Sequence, residues 1–84
     1  MNKQDGLRRE LNTTLDELRT LRDEIRVQLH LAGMEAKDRW NRDLEPRLFS
    51  MEKRVEREVG DATKTALHEL AETMRRFRDN LKSN

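Results

Sequence analysis

The chain has 84 residues, with 18 Lys+Arg against 17 Asp+Glu, so its net charge is only +1. A chain this short holds at most one domain and hides a small fraction of its surface unaided; its near-neutral balance excludes an overall field that would draw it to nucleic acid or anionic lipid. With no Cys, disulfides, thiolate zinc sites and thiol nucleophiles are excluded as well.

Charged residues make up 42% and hydrophobic ones 33%, with three Gly, one Pro and no Tyr, a composition of long or coiled helices. An all-α fold in one helical domain, 1–84, is expected. The opening MNKQDGLRRELNTT lacks the apolar core of a secretion signal, and no stretch reaches the roughly 18 apolar residues of a membrane span. A soluble, cytoplasmic protein is the expectation.

In chain order, Leu7, Leu11, Thr14, Leu18, Leu21 and Ile25 recur at close to a heptad spacing. The stretch IRVQLHL, 25–31, then alternates apolar and polar residues as a strand would. The helical period explains it better. Leu18, Leu21, Ile25, Leu29, Ala32, Ala36 and Trp40 stay in one band at about 100° per residue, and Val27, Leu31 and Met34 project from the opposite side. The helix is therefore apolar on two sides here, and no other segment offers a strand partner.

Beyond it, Ala36, Trp40, Leu44 and Leu48 are each four apart and so march round a helix. Pro46, disfavoured inside a helix but accepted in its first turn, falls in the same place. These two signals predict a break, with Asp43 as N-cap and Asn41 and Arg42 in a tight connection. Gly33 and Gly60 are competing break points that lie inside good periodicity. The second half repeats with 4-3-4 spacing through Leu44, Leu48, Met51; Val55, Val59, Ala62; Ala66, Leu70, Thr73; and Phe77, Leu81, Asn84. Such an eleven-residue period gives straight or slightly right-handed packing.

The expected architecture is a long antiparallel helical hairpin, coiled-coil-like, with a helix over about 5–41, a turn over about 41–45 and a helix over about 44–82, facing residues summing to about 85. The alternative is one long helix kinked at Pro46. The core of the hairpin comprises Leu11, Leu15, Leu18, Leu21, Ile25, Leu29, Trp40, Leu44, Leu48, Met51, Val55, Val59, Leu70 and Phe77, Trp40 plugging the end at the bend. Val27, Leu31, Met34, Phe49, Ala71 and Met74 are left over as an outer, intermolecular face. Two helices cannot bury a helix on both sides, so a second copy is expected to complete a four-helix bundle.

Chemistry is sparse. His30 and His68 sit among apolar positions, and His68 with Glu72 supplies two metal ligands where a di-iron bundle needs a Glu three residues before the His, the place of Thr65. No phosphate-binding Gly-rich loop is present, and Asp16-Glu17 and Asp23-Glu24 read as solvated charge. No catalytic, cofactor-binding or metal residue is assigned, and an enzyme is not expected. Thirteen of the 18 basic residues are Arg, and basic clusters occur at Arg8-Arg9, at Arg19, Arg22 and Arg26, at Lys53, Arg54 and Arg57, and at Arg75, Arg76 and Arg78. Acids interleave with them, which favours a salt-bridged surface over a nucleic-acid site. A lipid-surface amphipath is the third class, weakened by flanks that are acidic as often as basic.

The stretch LRDEIRVQLHLAGMEAKDRWNRDLEPRL, 21–48, resembles short, charge-rich helical bacterial proteins of unknown function, a resemblance that implies no activity and no site residues. The function read from the spacing is a non-enzymatic interaction or scaffolding module that self-associates as a homodimer or homo-oligomer and binds a protein partner.

Overall fold

The computed structural model describes residues 3–83 and is all-helical. Three helices follow one another. The first, α1, spans Lys3–Leu29. The second, α2, spans 34–57 and is built without interruption from α-helical Met34–Arg39, π-helical Trp40–Leu44 and α-helical Glu45–Arg57. The third, α3, spans Asp61–Ser83.

The chain therefore turns at 30–33 and 58–60, and the expected turn over 41–45 is helix instead. Gly33 is extended (φ −71°, ψ 167°), and so is Glu58 (φ −121°, ψ 107°). Carboxylates open each helix, at Asp5, Glu35 and Asp61, and basic residues close each one, at Arg26, Arg57 and Lys82. Both placements favour the helix dipole.

The π turn explains the marching stripe. Between Ala36 and Leu48 the four-residue spacing would carry an α-helix's apolar side out of register. An i→i+5 turn takes up one extra residue: the Glu45 N–H donates to the Trp40 carbonyl, five residues back. Pro46 follows directly, so the continuous helix goes without one amide donor at the point where the π turn has already shifted the pairing of the carbonyls. What the spacing announced as a break is a slip of phase inside one helix.

Ion pairs fix the topology. Arg19 and Arg26 of α1 reach Glu52 and Glu45 of α2, numbers that fall as the others rise, so α1 and α2 are antiparallel. Lys64, Arg75 and Arg78 of α3 reach Glu10, Glu17 and Glu24 of α1, numbers that rise together, so α1 and α3 are parallel. The fold is an up-down-up three-helix arrangement measuring 48 × 19 × 16 Å. The two-arm hairpin with facing residues summing to about 85 is replaced. Three helices of about 24 residues close a core among themselves that two long arms would leave open on one side.

The core runs the length of the molecule. Leu11, Leu15, Leu18, Leu21, Ile25 and Leu29 come from α1, Trp40, Leu44, Leu48, Met51 and Val55 from α2, and Leu67, Leu70, Ala71, Met74 and Phe77 from α3. Of the expected core, Val59 alone is not buried; it lies partly covered in the second connection. Along α3 the inward residues Thr63, Leu67, Leu70, Met74, Phe77 and Leu81 are spaced 4-3-4-3-4, a heptad. The eleven-residue period does not continue past Glu58, because the extended connection resets the phase: Thr63 is buried and Ala62 exposed. Asn84, which closes the last expected repeat, lies outside the described residues.

Candidate interaction surfaces

Among the described residues, four large apolar side chains stand in solvent: Val27 (66% exposed), Leu31 (90%), Met34 (73%) and Phe49 (60%). All four belong to the expected outer face. Ile25 and Leu29 are buried while Val27 is exposed, as a two-sided helix requires. Leu31 sits in the connection after α1, and Met34 opens α2, so Val27, Leu31 and Met34 gather around one pole of the bundle. Beside them a shallow groove of about 500 Å³ runs between Leu31, Ala32 and Ala36 on one side and Leu81 and Lys82 of α3 on the other. Phe49 stands apart on α2, its ring capped by the Lys53 ammonium at 4.9 Å.

The other two expected interface residues belong elsewhere. Ala71 and Met74 are fully buried. With α3 parallel to α1 and packed on α2 as well, these positions of α3 face the other two helices rather than solvent. Leu67, Thr14 and Thr63 are likewise buried. The heptad through α3 would have found Leu67, Thr63 and Met74 had the break at 58–60 been used to reset the count.

The polar surface is organised by seams. Across α1–α2, the Arg19 Nε and Nη2 both donate to Glu52 Oε2, at 3.2 and 3.0 Å, and Arg26 pairs with Glu45. Across α1–α3, Lys64 Nζ lies 2.9 Å from Glu10, Arg75 lies 3.4 Å from Glu17, and Arg78 Nη1 donates to Glu24 at 3.2 Å. Glu10, as hydrogen-bond acceptor and then as neighbouring charge, holds the Lys64 ammonium above its ordinary pKa. Within α3, Glu72 pairs with Arg76 at 3.0 Å. Thus Arg19, Arg22, Arg26, Arg54, Arg75, Arg76 and Arg78 are each engaged by a carboxylate.

Among the described residues no acid–base constellation emerges from this packing. His30 and His68 are both exposed. Among the described residues no group of three or more His, Asp or Glu could hold a metal ion, and no helix is long and apolar enough to cross a membrane. Compared with protein-family models, curated proteins and solved structures, the chain matches none.

Proposed function

We propose that the chain is a non-enzymatic helical interaction module that self-associates through the apolar pole formed by Val27, Leu31 and Met34. One observation carries the reading: Leu31, the most exposed large apolar side chain at 90%, has Val27 and Met34 as its neighbours around one short connection. Leaving such groups in water forgoes roughly 1.5–3 kcal/mol for each side chain that could be buried, and clustered exposed apolar groups mark contact surfaces more often than scattered ones do. A second copy fits this pole on charge grounds. At a net charge of +1, two copies approach without mutual repulsion of any size. Assembly of this kind joins three-helix units pole to pole, in place of the four-helix bundle expected from two hairpins.

Light scattering on size-exclusion fractions, over a wide concentration range and with circular dichroism alongside, tests this. Wild type is expected to assemble with concentration. Leu31→Asp is expected to remain helical and to stay monomeric. Leu21→Asp, which places a charge in the core, is expected to unfold the chain, since an unpaired buried carboxylate is not tolerated. Wild type that stays monomeric at every concentration, or Leu31→Asp that assembles as wild type does, overturns the reading.

A further inference from the structure

The groove beside Leu31 has an open apolar floor. Ala32, Ala36 and Leu81 pack against the core but are only partly buried, and they come from the first connection, the first turn of α2 and the end of α3. Gly33 and Lys82 also line it. Leu31 stands at the rim and, at 90% exposed, leaves the groove of its own chain unfilled. The backbone that carries it is fixed, because the Leu31 N–H donates to the Gln28 carbonyl and the Ala32 N–H to the Leu29 carbonyl, each at 3.1 Å. Gly33 keeps the groove open. Its backbone (φ −71°, ψ 167°) is one that any residue adopts, a Cβ there meets nothing within 4 Å, and the N-cap place accepts Ser, Thr, Asp or Asn at least as well as Gly. Among the described residues nothing therefore calls for a glycine, whereas a side chain at this position would stand at the groove.

We propose that Leu31 of a second copy seats in this groove and that the exchange is reciprocal, a two-fold contact in which each Leu31 covers Ala32, Ala36 and Leu81 of the other copy. The inference rests on the reading of the apolar pole as a self-association surface and names the contact that makes it. A projecting side chain and a recess at one pole of the same chain are what a two-fold interface needs, since each copy supplies both. The floor, one residue from each of three segments, is a notch for one side chain, whereas a foreign helix needs anchors spread over several turns. Charge agrees. Lys82 on the α3 wall and Glu35, four residues after Leu31, are both exposed and join no ion pair among the described residues. A Leu31 seated beside Lys82 brings the Glu35 of its own chain within reach of that ammonium, once on each side of the contact.

The chain has no Cys, so introduced thiols report contacts without interference. L31C is mixed with A36C under oxidising conditions, at a concentration where wild type is assembled, and the linked products are weighed by intact-mass spectrometry. Because a disulfide forms only between closely placed backbones, the mixed 31–36 product is expected to exceed either self-linked product by about tenfold. R9C, near the start of α1 and so at the opposite pole, is expected to give no such product with L31C. G33L plugs the groove. It is expected to stay helical and to raise the dissociation constant, read by light scattering, by about tenfold or more. L31C that links to itself as readily as to A36C places the two leucines against each other, and a helical G33L that assembles as wild type does leaves the groove outside the contact. Either result overturns this proposal, while assembly that L31D abolishes keeps the broader reading. If G33L unfolds, the crosslinks alone decide. Wild type that stays monomeric at every concentration overturns both readings, including the case in which it binds phosphatidylglycerol vesicles through Leu31 instead.

Discussion

The Trp40 and Phe77 rings lie 5.9 Å apart, centroid to centroid, with their planes tilted by 33°, so the first residue of the π turn is pinned to the C-terminal half of α3. Trp40 is almost wholly buried, and its Nε1–H has no hydrogen-bond partner among the described residues. Removing the ring with Trp40→Ala is expected to cost about 3–5 kcal/mol. Trp40→Phe also removes an unsatisfied donor whose burial costs about 1–3 kcal/mol, so it is expected to lose much less. Urea titrations followed by helical circular dichroism check both, and equal losses would mean that the indole N–H is satisfied in solution.

Pro46 and the π turn are neighbours, but the turn is expected to belong to the packing. Trp40 on one side and Leu44 and Leu48 on the other are held in the core, and only a turn with one extra residue lets both sets face inward. Pro46→Ala is therefore expected to leave the emission of Trp40, the single Trp, unshifted, and not to lower stability. A red shift would show that Pro46 sets the phase of the helix.

Gly6 lies inside α1, and a Cβ built on it meets nothing within 4 Å. Gly6→Ala is expected to raise stability by about 0.5–1 kcal/mol, by removing freedom from the unfolded chain. Gly33 has equal space but is the N-cap of α2, where Ala is a poorer residue than Gly. Gly33→Ala is expected to give no such gain. Thermal melts of the two variants, side by side, decide it.

The Lys64–Glu10 pair makes a prediction about alkaline pH. Its lysine titrates higher in the folded chain than the ordinary 10.5. The stabilisation is therefore fully present below the unfolded lysine's pKa and disappears as pH rises through the folded value. Melting temperature is expected to fall with pH in that window, and to fall less steeply in Lys64→Met. Parallel slopes would mean that the pair does not persist in solution.

Helical class, the inward side of α1 and the exposure of Val27, Leu31, Met34 and Phe49 are all legible in the sequence, because each follows from periodicity within one helix. The path of the chain is not. Gly33 and Gly60 lie inside apolar stripes that continue in phase on either side, so nothing in the spacing marks them as breaks, while Pro46 and the four-residue march mark a break that a π turn absorbs. Placing the turn at 41–45 then puts Ala71 and Met74 on the outside.

Because α1 and α3 run parallel, the two ends of the described chain leave the bundle at opposite poles, along its 48 Å axis. Tension applied through them would load the α1–α3 seam in shear, straining Glu10–Lys64, Glu17–Arg75 and Glu24–Arg78 together. A hairpin, with both ends at one pole, would instead unzip one contact at a time. The same helices, connected at 30–33 and 58–60, thus make a strut that can sit in line between two attachments.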